Sequence, residues 1–225
     1  MAKRNIRDFT EGNITAHIIA FSMPMLLGNV FQALYSTVDS FWVGRFLGAE
    51  ALASVSVSFP IIFALVSLAI GLTIATTTLV SQSFGAKDYP EIARISANTM
   101  TLLGMMGVFF AAFGYVFRAQ LIDLVGTPSN TREQAISYLG VCSLGFPVVY
   151  IYNVAGAILR GVGDSRTPLN ALIVATVINV ILDPMMIFGW GPFPRMGVTG
   201  AALATIIAQL IASVVAMAGV FRTIS

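Results

Sequence analysis

Two aspartates, Asp39 and Asp183, lie inside long apolar runs, whereas the other carboxylates fall in the polar segments between runs or near the amino terminus. An ionised carboxylate at bilayer depth costs roughly 2.5–3.5 kcal/mol on insertion scales, so such a residue usually faces a cavity or belongs to a proton relay. We therefore expect these two residues to bind a cation or to exchange a proton. The alternative is a structural acid that reaches water from near the membrane interface.

Two further polar side chains complete a set of oxygen ligands with these aspartates. Asn179 precedes Asp183 by four positions, so the two are neighbours on one helical face. Asp39, Asp183 and Thr205 each lie five or six positions from a turn glycine, about 8–9 Å along a helix, and so share one layer. Carboxylate, amide and hydroxyl oxygens suit a hard cation. We predict an exchangeable-cation site at Asp39, Asn179, Asp183 and Thr205, in which Asp183, Asn179 and Thr205 could hold Na⁺; a purely structural hydrogen-bond cluster is the alternative.

A polar stripe on the first apolar run indicates a neighbouring cavity. Gln32, Tyr35 and Asp39 are spaced by three and four positions, which places them on one face of an otherwise apolar helix. Asn153 is a second amide within an apolar run, although such a residue can simply bridge two helices. We predict that Gln32, Tyr35 and Asn153 line a substrate cavity.

The composition requires a membrane to surround these residues. Of the 225 residues, 57% are hydrophobic and 10% are charged, whereas a soluble domain carries about 25% charged residues. Since a bilayer core asks for about 20 apolar residues per helix, we predict an all-α bundle of six spans in one domain, 1–225. The predicted spans, numbered 1 to 6, lie near 14–43, 51–80, 95–117, 136–159, 169–189 and 198–221.

The distribution of basic residues predicts the orientation of the chain, because cytoplasmic loops carry an excess of Lys and Arg. With both termini cytoplasmic, the inside collects eight such residues: Lys3, Arg4, Arg7, Lys87, Arg94, Arg160, Arg166 and Arg222. The outside then has four: Arg45, Arg118, Arg132 and Arg195. We therefore expect a multi-pass protein with both ends in the cytoplasm.

Other function classes find no support in the sequence. The charge of +2 is spread thinly, with no basic stripe of the kind that a nucleic-acid groove requires. There is no Walker-type glycine loop and no nucleophile elbow, so we expect no enzyme activity and no cofactor other than an ion. The single Cys142 is interpreted as packing rather than catalytic. Pro24, Pro60, Pro147 and Pro184 each remove a backbone donor within or beside a span, so bent helices are expected.

Five segments, spread along the chain, resemble the multidrug and toxic compound extrusion (MATE) family. They are MPMLLGNVFQALYSTVDSFWVGRFLG (23–48), SQSFGAKD (81–88), RGVGDSRTP (160–168), NVILDP (179–184) and GAALAT (200–205). Members of this family have about twelve helices in two similar lobes. The resemblance implies that the chain corresponds to the amino-terminal lobe, with a second lobe or a second copy as its partner.

The same resemblance implies a function. It predicts a plasma-membrane antiporter that uses H⁺ or Na⁺ to export cationic amphipathic compounds. The family's coupling-cation site falls on Asp39, Asn179, Asp183 and Thr205, and Gln32 and Asn153 resemble residues lining the same cavity. Cation entry would bend or repack the first span and lower the affinity for drug.

Two other functions stay open at this point. A related branch flips lipid-linked or polysaccharide precursors, but a cationic cavity would suit such phosphates, and no Lys or Arg falls in mid-span here. The other alternative is a truncated, non-transporting membrane subunit whose buried acids are structural.

Overall fold

The computed structural model describes residues 13–224, and within this range the chain folds into helices joined by short turns. The helices are α1 (Ile14–Phe46), α2 (Ala49–Gly85), α3 (Tyr89–Val116), α4 (Arg118–Leu124), α5 (Ser129–Leu144), α6 (Phe146–Gly161), α7 (Arg166–Phe188) and α8 (Val198–Ile224). The predicted all-α class is confirmed. Lys3, Arg4 and Arg7, which contributed to the predicted orientation, lie outside the described residues.

Six membrane crossings account for this architecture. Helices α1, α2, α3, α7 and α8 are each long and apolar enough to span a bilayer, and α5 with α6, bent by 48° at their junction, are together long and apolar enough for one further span. The chain is therefore a multi-pass membrane protein. Gly48, at φ +95° between α1 and α2, permits a turn that a residue with a side chain rarely adopts.

The fourth span differs from the predicted range 136–159. It begins at Ser129 and breaks at Gly145. The polar sequence SNTREQ hides the helix start from a hydropathy reading. At the break, Pro147 cannot donate a backbone hydrogen bond, and a Cβ at Gly145 would lie 2.7 Å from Cγ1 of Ile206 on α8. The bend therefore lets this span pack against α8.

The ends of other elements also depart from the predicted bounds. Helix α3 begins at Tyr89 rather than near 95, because the Asp88 side chain accepts a hydrogen bond from the Glu91 amide at 3.1 Å. Helix α4 was not predicted. It is held to α5 by an ion pair in which Arg132 Nε lies 2.6 Å from Asp123 Oδ1, and this guanidinium lowers the pKa of the Asp123 carboxyl.

Three of the four prolines expected to bend helices, Pro24, Pro60 and Pro184, lie inside continuous helices. Among the described helix pairs that are apolar enough to form one span together, one is bent by more than 40°, α5 with α6 beside Pro147. The carbonyl groups that the three internal prolines leave free are thus accommodated without a break of the helix.

Helix α6 forms the centre of the bundle, whereas α1 lies at its edge. The α6 side chains Phe146, Tyr150, Ile158 and Leu159 are almost fully buried, and the Tyr150 hydroxyl donates to the Leu65 carbonyl of α2 at 2.6 Å. Half of the apolar window of α7 is buried, compared with 6% of that of α1. Since α1 packs mainly along α7, it is the spanning helix with the fewest neighbours to restrain it.

Candidate functional site

The two intramembrane aspartates meet where α1 packs along α7. Asp183 is 0% exposed and Asp39 is 8% exposed. Their carboxylates lie within electrostatic interaction range of each other. Tyr35 and Asp39 of α1 and the acid of α7 therefore face a common interior.

Asn179 and Asp183 form a hydrogen-bonded pair on one face of α7. Nδ2 of Asn179 donates to Oδ1 of Asp183 at 2.9 Å, one helical turn away. This bond satisfies one of the two carboxylate oxygens and leaves the amide oxygen of Asn179 without a hydrogen-bond donor among the described residues. Asn179 is 0% exposed, so the pair is shielded from bulk water.

Three buried oxygens in this region have no hydrogen-bond donor among the residues that the structure describes. They are Oδ1 of Asp39, Oδ1 of Asn179 and Oδ2 of Asp183. A buried acceptor without a donor costs about 1–3 kcal/mol, and more when it is charged. A proton or a small cation would remove that cost for several of these oxygens at once.

Tyr35 connects the aspartates to α8. Its hydroxyl donates to the main-chain carbonyl of Thr205 at 3.4 Å, and its side chain is buried. Both Asp39 and Asp183 lie within electrostatic range of this hydroxyl. The side chain of Thr205 is half-buried. Residues from α1, α7 and α8 thus converge as the depth counting anticipated, although their binding of a cation stays a prediction.

Close packing of small residues brings α8 against α7. A Cβ on Gly200 would lie 2.6 Å from the main-chain oxygen of Met186, so only glycine fits there. Four alanines at four-residue spacing, Ala204, Ala208, Ala212 and Ala216, are fully buried along the same helix. Small residues let helix backbones approach closely in membranes, and this approach holds α8, which carries Thr205, against the helix that carries Asp183.

The two remaining cavity candidates, Gln32 and Asn153, differ in burial and in hydrogen bonding. Gln32 is exposed on α1. Asn153 is partly buried on α6, where its Nδ2 donates to the Val149 carbonyl of its own helix at 2.8 Å. The structure therefore joins Tyr35 to the acids, while the role of Gln32 and Asn153 in a cavity stays a prediction.

Tyr138 and Cys142 of α5 also border the acids, and the sequence reasoning did not select them for the site. Tyr138 is buried, adjoins Cys142 one turn along α5, and lies within electrostatic range of Asp39. With the span predicted to begin near 136, Tyr138 lay within the first turn of the predicted helix. The earlier start at Ser129 places it two turns and more inside the helix.

A second residue missed by the sequence reasoning is Gln209, one turn beyond Thr205 on α8. Its Oε1 is buried and has no donor within residues 13–224. The available signal was the same one that selected Gln32, an amide in an otherwise apolar run.

The comparison with known families decides the relationship. The MatE family model matches residues 24–185, more than half of the chain, and this range contains both aspartates. The chain belongs to the MATE family. The match runs from α1 to α7, and the segment GAALAT (200–205), which the sequence resemblance also included, lies outside it.

Individual MATE relatives agree with this placement. A probable multidrug resistance protein of Bacillus subtilis, YoeA, is 37% identical over 88% of this chain and 42% of its own length. The FAD transporter of Shewanella oneidensis is 32% identical over 87% of this chain and 43% of its own length. A solved MATE structure described as the bent conformation superposes with a TM-score of 0.85 at 30% identity, covering 93% of this chain and 46% of that one.

The matches also show how much of each relative's length this chain covers. The chain spans about half the length of the MATE relatives that it matches. Its fold corresponds to one lobe of such a transporter. The relatives are transport proteins rather than enzymes, in keeping with the predicted function class.

Proposed function

We propose that this MATE lobe binds a coupling cation, H⁺ or Na⁺, at Asp39, Asn179, Asp183 and Thr205, and uses it to export cationic amphipathic compounds. The supporting observation is the group of three buried oxygens, on Asp39, Asn179 and Asp183, that lack a donor among the described residues. Two carboxylates in one shielded interior repel each other unless a proton or a cation lies between them. The site is therefore stable only when it is loaded or when its helices separate.

The position of α1 converts this ion binding into movement. Asp39 lies on the peripheral helix, whereas Asn179 and Asp183 lie on the buried one. Loading the site draws α1 toward α7, and unloading it releases α1. Because Gln32 is exposed on the same helix as Asp39, the surface that α1 offers to cargo changes with the ion.

Antiport follows when ion and cargo favour different positions of α1. A ligand shifts an equilibrium only by its difference in affinity between the two states. A cation that favours the closed α1–α7 arrangement lowers the affinity for a cargo that needs the open one, and by linkage the cargo expels the cation.

The charge of the interior indicates the kind of cargo that it binds. The two buried acids are the charged side chains at mid-span, and Arg160, which is half-buried, lies in the last turn of α6. An acidic interior attracts cations. The multidrug name of the Bacillus relative supports this cargo, whereas the flavin dinucleotide named for the Shewanella relative is anionic and supplies the contrasting test compound.

The complete transporter needs a second lobe or a second copy of this chain, since alternating access in such folds moves one bundle against another. We place it in the plasma membrane. Its energy source in this proposal is the ion gradient alone, with no organic cofactor.

Transport by proteoliposomes tests the proposal. The full chain is reconstituted alone and as a tandem fusion of two copies, and ethidium and FAD fluxes are followed under an imposed proton or sodium gradient. We expect gradient-dependent ethidium flux that Asp183→Asn abolishes. FAD flux in its place would overturn the cationic cargo, and no gradient-dependent flux from either form would contradict the antiporter and favour a non-transporting subunit.

A further inference from the structure

A polar cavity of about 370 Å³ opens at the end of the bundle where α1 ends and where α5 and α8 begin. Its polar lining comes from Glu133, Gln134 and Ser137 of α5 and from Thr199 of α8. Glu133 is the charged member of this lining, and Arg195 lies just outside it, next to the lining residue Met196. The cavity thus presents a carboxylate together with amide and hydroxyl oxygens.

The Glu133 carboxylate is available to a ligand. It forms no ion pair with another described residue, whereas the adjacent Arg132 is engaged by Asp123 at 2.6 Å. The second acid at this end, Glu50, accepts a hydrogen bond from Nδ2 of Asn130 at 3.1 Å. Glu133, which also attracts Arg132 electrostatically, is therefore the acid at this end that lines the cavity.

Three helices lead from this cavity to the proposed cation site. On α1, Leu47 lines the cavity and Asp39 lies eight positions earlier, about 12 Å along the axis. On α8, Thr199 precedes Thr205 by six positions, or about 9 Å. On α5, Gln134 lies one turn before Tyr138. Along α1 and α8 the cavity lining therefore lies about two helical turns nearer the end of the bundle than Asp39 and Thr205.

One layer of apolar packing separates the cavity from the site. We call it the apolar layer, and it consists of Val43, Tyr138, Ile187, Ala201 and Ala202, all buried in one cluster. Val43 belongs to α1, the peripheral helix. A shift of α1 would withdraw Val43 and open a path between the cavity and Asp39.

We propose that the cavity is the vestibule through which a hydrated monovalent cation approaches Asp39 and Asp183, with Glu133 concentrating cations and the apolar layer acting as the gate. This inference rests on the proposed function. A cleft that carries one sign of charge raises the local concentration of the opposite ion. Glu133 acts at the entrance, so it contributes to access and not to coordination at the buried acids.

Charge-selective thiol labelling tests the vestibule. Ser137→Cys is made in a Cys142→Ala background and is labelled, from the side on which α1 ends, with cationic and anionic membrane-impermeant methanethiosulfonates of similar size. We expect the cationic reagent to react faster. Adding Glu133→Gln should lower the ratio of the cationic to the anionic rate by about tenfold at low salt. The rate of the cationic reagent should fall by about threefold and that of the anionic reagent should rise by about threefold.

The matched control is Glu50→Gln, which removes an acid at the same end but outside the lining and should change the ratio much less. Equal rates for the two reagents, or a ratio that Glu133→Gln leaves unchanged, would overturn the vestibule.

The path through the apolar layer is tested with a cysteine at Ala202, one helical turn beyond the lining residue Thr199. Ala202→Cys should react with the cationic reagent more slowly than Ser137→Cys does, and from the same side only. Adding Glu133→Gln should slow this reaction further. Reaction from the opposite side, or from neither side, would overturn the path. Neither labelling experiment requires an ion to bind at Asp183, so failure of the proposed cation site would appear in ion-binding measurements and leave the labelling ratio intact.

Discussion

At the scale of single residues, the site is defined by an imbalance between buried acceptors and donors. Asp183 receives one hydrogen bond, from Asn179, while its other oxygen and one oxygen of Asp39 have no donor among the described residues. Such an arrangement disfavours the fully ionised state. A cation that binds there takes the place of the missing donors, so the affinity for the cation and the stability of the fold are coupled.

The Asn179 amide gives the first prediction. Asn179→Ala removes the donor to Asp183, so we expect the free energy of unfolding in detergent to fall by about 1–2 kcal/mol. Cation affinity should fall too, because an oxygen ligand is lost. Asn170→Ala, at an exposed position of the same helix, serves as the control and should change neither. Equal effects of the two substitutions on both measurements would contradict the role of Asn179.

The sequence was informative about residues whose type is rare in its surroundings. Asp39, Asn179 and Asp183 stand out because a carboxylate or amide in an apolar run is expensive, and the structure brings all three together. Tyr138 did not stand out, because an aromatic residue suits a core, an interface or a site equally well. Its location depended on the helix start at Ser129, which a polar sequence concealed.

At the scale of helices, the site depends on the contact between α7 and α8. Gly200 allows the two backbones to touch at Met186, and the buried alanines continue this contact along α8. Long apolar runs predicted these helices well. The break at Gly145 was not predictable from hydropathy, because the run continues through it and the cause is its tertiary contact with Ile206.

The helix contact gives the second prediction. In Gly200→Ala the new Cβ would overlap the Met186 backbone, and such overpacking typically costs 1–3 kcal/mol. We expect a lower melting temperature and weaker cation binding, because Thr205 moves away from Asp183. Gly71→Ala on α2, where a Cβ meets nothing within 4 Å, is the control and should be neutral or slightly stabilising. Similar melting temperatures for the two variants would refute the close-packing argument.

At the scale of the whole molecule, two properties of the lobe matter: its orientation in the membrane and the partner with which it assembles. Along the described chain, five basic residues lie at the end where α1 begins: Lys87, Arg94, Arg160, Arg166 and Arg222. Four lie at the other end: Arg45, Arg118, Arg132 and Arg195. This difference is small without the amino-terminal residues, so the orientation depends on experiment.

Reporter fusions supply that experiment and give the third prediction. Green fluorescent protein at the carboxyl terminus should fluoresce, because the positive-inside rule places that end in the cytoplasm. Alkaline phosphatase inserted in the loop between α7 and α8 should be active, because it lies outside. The reverse pattern would invert the orientation and would place the vestibule on the cytoplasmic side.

Binding of the coupling ion to Asp183 is the claim on which the account depends, and calorimetric titration of the purified full chain with Na⁺, with proton release recorded, measures it most directly. We expect the parent to bind Na⁺ or release a proton, and Asp183→Asn to weaken this response by about tenfold or more without loss of thermal stability, because the amide removes a buried charge. Asp123→Asn, at an exposed acid outside the spans, should behave as the parent. An unchanged response in Asp183→Asn would contradict the account.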